Sequence, residues 1–199
     1  MATSAARSMD GRVQRSERSR EAIVIAMLGL IGEGTLSPTA QQVAERAEVG
    51  VRTVFRHFSD METLFAAMND RLTEQTESLF VDAIQEGPFA DRVEALVERR
   101  ISIFEELGPY MRAAAIQRRS SAFLQSQHGR NIRTLRRDLR RWLPEIDSAP
   151  REAADALEMI LSFEAWNRLR IEQRLARNRA AAALRSSVSQ LTTALDVAG

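Results

Sequence analysis

The stretch Pro38-Thr39-Ala40-Gln41-Gln42-Val43-Ala44-Glu45-Arg46-Ala47-Glu48-Val49-Gly50-Val51-Arg52-Thr53-Val54-Phe55-Arg56-His57-Phe58 decides the fold. Thr39, after Pro38, is a natural N-cap for a short helix from about Ala40 to Ala47 that would bury Val43, Ala44 and Ala47. Glu48-Val49-Gly50 interrupts it, and a second short helix, Val51 to Phe58, would turn Val54 and Phe58 inward. Two short helices joined by a turn and preceded by a packing helix follow the plan of a helix-turn-helix. That plan asks for small or β-branched residues between the helices, which Val43, Ala44, Ala47, Val49 and Val54 supply. It also asks for an outward face that can reach base edges and phosphates; Arg52, Thr53, Arg56 and His57 offer one.

Outward from this core the pattern stays helical. Upstream, Gln14 to Ile31 sets Ile23, Met27, Leu30 and Ile31 on one face and stops at Gly32-Glu33-Gly34. Downstream, Ser59-Asp60-Met61-Glu62 reads as a capping box, with Ser59 as the cap, opening a long amphipathic helix that ends at Gly87-Pro88. Gly108-Pro109 is expected to end a helix begun near Ala90, leaving Tyr110 to about Ser120 as a separate short one. Further helices are expected over about Phe123 to Leu143, from the Ser148-Ala149-Pro150 turn to about Gln173, and from about Asn178 to Leu195. No useful length alternates with period two. The expectation is an all-α chain of about nine helices, divided as 1–13, a flexible basic arm, 14–58, the helix-turn-helix, and 59–199, a longer helical module.

Composition narrows the class. The 199 residues are 44% hydrophobic and 28% charged, as in a globular protein. With no cysteine and only His57 and His128, there is no disulfide framework, thiolate metal site or histidine-rich metal constellation to expect, so cofactors and metals are expected to be absent. There is no phosphate-cradling glycine loop and no nucleophile beside a base, so an enzyme is not expected. No segment has the apolar length of a membrane span or a signal h-region, and a cytoplasmic protein is expected. All 28 basic residues are Arg, against 27 acidic ones, a net charge of +1. Five of them, Arg7, Arg12, Arg15, Arg18 and Arg20, fall in the first twenty residues against only Asp10 and Glu17. That leaves this segment at +3 and the rest at −2, so DNA binding would lean on the arm. A second Arg series, Arg133, Arg136, Arg137, Arg140 and Arg141, has helical spacing and reads as a solvated face pairing with nearby carboxylates.

The run from Pro38 through Ser59-Asp60-Met61-Glu62-Thr63-Leu64 resembles the N-terminal domain of TetR-family transcriptional repressors. In that family an Ile-Ala-containing helix precedes a Gly-Val-Ser turn, a Thr-Leu-Tyr-x-His-Phe recognition helix and a Lys-Glu-x-Leu helix opening. The match covers roughly Ala22 to Leu64. Four departures bear on function: Glu48 stands for the usual Gly, Gly50 for Ser, Phe55 for Tyr and Met61 for Lys. The last two remove usual phosphate contacts, which the arm, led by Arg15 and Arg18, would have to replace. The resemblance implies that Gln41, Val51, Arg52, Arg56 and His57 face base edges in the major groove. It implies too that Thr53, and Thr39 through its backbone amide, position phosphates.

The resemblance further implies an apolar effector pocket among the later helices. Phe104, Tyr110, Met111, Phe123, Trp142, Phe163, Trp166, Asn167 and Arg170 are the candidate lining, the aromatic polar tips serving to orient a ligand. Leu157, Ile160, Leu161, Ala165 and Leu169, then Ala180 to Leu184, Val188, Leu191 and Leu195, give the last two helices broad apolar faces suited to a homodimer interface. The function so implied is a homodimeric repressor of a near-palindromic double-stranded DNA operator, released by a small-molecule effector. The alternative is an all-helical ligand-binding or adaptor protein with weakened DNA binding.

Overall fold

Apolar residues spaced three and four apart produce helices throughout, and among the described residues there are nine α-helices and no strand. The computed structural model describes the backbone of residues 3–80 and 86–196, and side chains within 13–74 and 86–193. The helices are α1 (Thr3–Gly32), α2 (Ala40–Arg46), α3 (Val51–His57), α4 (Met61–Phe80), α5 (Phe89–Gln117), α6 (Ala122–Trp142), α7 (Arg151–Ile160), α8 (Phe163–Asn167) and α9 (Arg177–Asp196). Short 3₁₀ turns follow α5 and α6, and a π-helical turn, Arg168–Glu172, continues α8. None of these helices is long and apolar enough to cross a membrane, and the described residues hold no cluster of three metal-ligating side chains.

The chain forms two compact units. The first contains residues 1–80 and 109–125. Its core takes Ile23, Met27 and Ile31 from α1, Val43 and Ala44 from α2, Val54 and Phe58 from α3 and its end, Leu64, Phe65 and Met68 from α4, and Ala113 from α5. Each large aliphatic side chain so buried stabilises the unit by about 1.5–3 kcal/mol. The seven-residue α2 and α3 would not persist alone; packing on α1, and on each other, holds them. The backbone of α1 begins at Thr3, ahead of the periodic stretch expected from Gln14, in a segment that contains helix formers and no proline. The expected last part of α4 includes residues 81–85, outside the described residues.

Two corrections concern caps. Ser59 does not cap α4: Asp60 Oδ1 accepts the Thr63 N–H at 2.7 Å. Glu62, expected to complete that box, instead accepts from Ser121 Oγ at 2.6 Å and the Phe123 N–H at 3.0 Å, holding the start of α6. The capping box of the first unit is the one at Thr39, whose Oγ1 accepts the Gln42 N–H at 3.2 Å while Gln42 Oε1 accepts the Thr39 N–H at 2.9 Å.

The second unit contains residues 81–108 and 126–199. α7 packs on α9, and Leu157, Leu161, Ala180, Ala181, Leu184 and Val188 are buried. Phe104 meets Phe163 edge-on with ring centroids 5.8 Å apart. Glu105 accepts from Trp166 Nε1 at 3.0 Å and Arg170 Nε at 2.8 Å, fastening the turn after α8 to α5. The Arg170 guanidinium holds the Glu105 carboxyl below its usual range. The Arg series of α6 pairs as expected at two positions, Arg136 with Glu158 and Arg140 with Asp147.

Two helix boundaries differ from expectation. Pro109 does not end a helix: α5 continues through it to Gln117. A proline removes one hydrogen bond and crowds the preceding turn, but Ile101 and Phe104 before it, and Ala113 after it, are buried, so packing on either side outweighs that local loss. Conversely, the long helix expected from Pro150 breaks at Leu161-Ser162. Ser162 Oγ accepts the Ala165 N–H at 3.2 Å, and the cap starts α8 afresh.

Candidate nucleic-acid interface

The turn between α2 and α3 is a Schellman motif. The Glu48 N–H reaches the Glu45 carbonyl at 3.2 Å and the Val49 N–H reaches the Ala44 carbonyl at 2.9 Å. The residue between cap and closure, Glu48, has φ 54, the left-handed conformation that favours glycine. The end of α1 uses the same device with a glycine: Gly34 has φ 102, its N–H reaches the Ile31 carbonyl at 3.0 Å, and the Thr35 N–H reaches Leu30 at 2.9 Å. Glu48 therefore closes its turn through the same pair of bonds found at Gly34 at the end of α1, and carries the strain of a side chain in that conformation. Val49 packs against the core and fixes how α3 leaves the turn.

From that turn α3 presents Arg52, Phe55 and Arg56 to solvent, with Phe55 48% exposed. Thr53 and His57 are half-buried, and Val51 is half-buried against the core. Arg52, Arg56 and Gln41 thus stand most fully available, although Gln41 Nε2 donates to Glu45 Oε1 at 2.7 Å. The Thr39 amide expected to meet a phosphate is engaged by Gln42, as described above. Arg15 and Arg18 lie exposed on α1. The side chains of Arg7 and Arg12 lie outside the described residues. Gly50, at the N-cap of α3, makes no side-chain cap bond. Met61 packs against the core.

One basic residue that the motif alone did not single out for the reading helix is Arg20. Its guanidinium lies 5.0 Å from the centroid of the Phe58 ring, a contact worth about 0.5–1 kcal/mol, and anchors α1 against the end of α3. Burial, reinforced by Arg56 and Arg20, holds the His57 pKa below its usual value; Nε2 is buried without a hydrogen-bond partner. His57 is therefore a neutral group at neutral pH.

The nine candidate pocket residues are divided between the two units. Tyr110, Met111 and Phe123 belong to the first unit, where Tyr110 packs against the core. Phe104, Trp142, Phe163 and Trp166 are buried in the second, and Asn167 and Arg170 are half-buried there. None lines a cavity of about 390 Å³ in the second unit, between α5, α6, α7 and the start of α8. Its wall is apolar at Ile132, Leu135, Leu139, Met159 and Leu161, and Arg100 adds a guanidinium only 1% exposed. Sequence reasoning passed over Arg100 because an arginine between Arg99 and Ile101 looks like the polar edge of an amphipathic helix. The signal available was its place one step before Ile101 on a stripe already broad.

Residues 29–68 match the family model described as bacterial regulatory proteins, tetR family. Among solved structures the chain is similar to a transcriptional regulator from Rhodococcus sp. Rha1, with TM-score 0.67, 20% identity, and coverage of 89% of this chain and 96% of that one. It is also similar to a TetR transcriptional regulator from Rhodococcus sp. RHA1, with TM-score 0.51, 17% identity, and coverage of 90% and 97%. At such identities these are likenesses of fold. No curated protein matches the chain significantly in sequence.

Proposed function

We propose that this chain, whose residues 29–68 match the tetR family of bacterial regulatory proteins, is a TetR-family transcriptional regulator that acts as a homodimeric cytoplasmic repressor released from its operator by a small molecule. The observation that carries the reading is the outward face of α3, where Arg52, Phe55 and Arg56 are exposed on a helix whose inward face is locked into the core. Either guanidinium can fork onto guanine O6 and N7, and the Phe55 ring suits a thymine methyl. Arg15, Arg18 and Thr53 take phosphates, and Gln41 reaches the groove edge from α2. In a twofold dimer the two α3 helices enter successive major grooves, about 34–36 Å apart, which calls for a near-palindromic site. With Leu157, Leu161, Leu184 and Val188 buried within the unit, apolar residues that keep exposed surface, among them Ile160, Leu169, Ala182 and Leu191, are those through which the last helices pair. The effector acts by binding the form unable to span the operator more tightly than the DNA-bound form.

A mobility-shift titration with the DNA upstream of the protein's own gene tests this. Salt-sensitive binding preferred over random duplex, weakened by Arg52→Ala and by Arg56→Ala, is the expected result. A second reading, an adaptor with weakened DNA binding, draws on Phe55 and Met61 in place of phosphate-gripping residues. Equal affinity for operator and random DNA, with neither arginine mattering, would favour it and overturn the first.

A further inference from the structure

We propose that the cavity of the second unit binds an amphipathic small molecule through a carboxylate head seated on Arg100. The inference rests on the effector reading above and names the chemical class of the ligand. Arg100 projects from α5 and is 1% exposed. Its Nη2 donates to the Leu135 carbonyl at 2.7 Å and lies 3.1 Å from Asp138 Oδ2. Its Nε and Nη1 are buried with no hydrogen-bond partner. A buried donor left unmade is costly, and an unmet guanidinium more so than an amide. Arg100 lines the cavity, and because its unmet N–H groups are buried, a carboxylate entering there would meet them once the guanidinium turns toward it.

The charge around this point favours an anion over a neutral acceptor. Arg99 approaches Asp138 Oδ1 at 3.7 Å, so a second guanidinium stands beside the carboxylate that faces Arg100. Burial draws the Arg100 pKa down to about 10, which leaves it charged at neutral pH. Of the other ionisable groups lining the cavity, Glu158 is occupied by Arg136 at 2.6 Å. His128, Asp155 and Glu164 complete the set, and Glu164 is exposed. The acidic side chains turn a carboxylate away from the rim and toward Arg100. The ligand's apolar body then lies along Ile132, Leu135, Leu139, Met159 and Leu161. The volume, about 390 Å³, lies at the small end of ligand sites.

Titration calorimetry on the full chain with decanoate and its neutral analogue decanol tests the site. Decanoate is expected to bind roughly tenfold or more tightly than decanol, since a charge-assisted bond separates them. Arg100→Gln should erase that preference. Met159→Trp, at a cavity-lining position 66% exposed and so outside the close-packed core, should obstruct the cavity and weaken decanoate by about tenfold or more. Equal binding of the two probes, decanoate affinity indifferent to Met159→Trp, or no decanoate binding would each overturn the proposal, and the Met159 variant keeps it testable should Arg100→Gln fail to fold. The same samples in the mobility shift separate the two readings. Intact DNA binding with no decanoate site defeats this inference alone, whereas decanoate binding that leaves the DNA complex untouched defeats the effector reading and spares the site.

Discussion

Replacing Glu48 by glycine is expected to stabilise the protein, an unusual direction for a substitution that deletes a whole side chain. At φ 54 the Glu48 Cβ crowds the backbone, and an L-residue held in this region carries roughly 1–2 kcal/mol of strain. Glycine removes that strain but loses more chain freedom on folding, a penalty of about 0.5–1 kcal/mol. The difference is a gain of up to about 1.5 kcal/mol, centred near 0.75, or roughly 1.5–3 °C in Tm at that centre for a chain of this length. Urea and thermal unfolding of the full chain, followed by circular dichroism, would measure it. Glu48→Gln is the control: it discards the charge and keeps the strain, so its midpoint should stay within about 0.5 kcal/mol of the parent. Gly34→Ala is the converse, placing a Cβ where φ is 102, and should destabilise by about 1 kcal/mol or more. If Glu48→Gly lowered the midpoint, or raised it no further than Glu48→Gln, strain at the turn would be refuted.

Arg56→Ala should weaken operator binding by about 1–3 kcal/mol and relax the preference at one base pair, whereas Arg18→Ala should weaken binding to all sequences alike and flatten the salt dependence; fluorescence anisotropy at several salt concentrations separates the two effects. Gly50→Ser should add a few tenths of a kcal/mol of stability in urea unfolding, because the N-cap of α3 has extended geometry and a Cβ there meets nothing within 4 Å. The lowered His57 pKa means that the unfolded chain takes up its proton first as pH falls; the stability tied to neutral His57 is whole above about pH 6.5 and declines below it. His57→Gln should flatten that part of a stability–pH curve, and an unchanged slope would count against the burial argument. Glu105→Gln should cost about 1–2 kcal/mol by weakening the bonds to Trp166 and Arg170. With its pKa held low, the stability Glu105 confers is present above about pH 4.5 and is lost as pH falls through the folded value.

The helix-turn-helix was legible because local signals coincide there: Thr39 caps, Val43, Ala44 and Val54 repeat at helical spacing, and the breaker falls between them. The second unit was less so, since there local signals conflict with packing. Pro109 is a strong stop signal in isolation, overridden by buried neighbours on both sides. Ser162 looks like an ordinary polar position until its hydroxyl is seen accepting the Ala165 N–H. Around α4 the residue types were right and the register was not: Asp60, one position after Ser59, holds the cap, and freed Glu62 for a bond to residues about sixty positions away in the chain. The candidate pocket residues were picked for aromatic bulk, the property that puts such residues in solid core. Trp142, Trp166 and Phe104 accordingly fill space, and the apolar part of the cavity wall is made by aliphatic residues and Met159, beside polar groups that include the buried Arg100.

The shortness of α2 and α3 has a thermodynamic consequence for association. Each is seven residues long and is ordered by Val43, Ala44 and Val54 rather than by any partner, so the reading surface exists before DNA arrives. The conformational entropy of setting Arg52 and Arg56 on one rigid helix is spent during folding of the first unit. Calorimetry of the DNA complex should therefore lack the large negative heat-capacity change of coupled folding and binding. A cavity made in the core outside the reading helix, such as Met27→Ala in α1, should reduce apparent affinity only to the extent that it depopulates the folded unit.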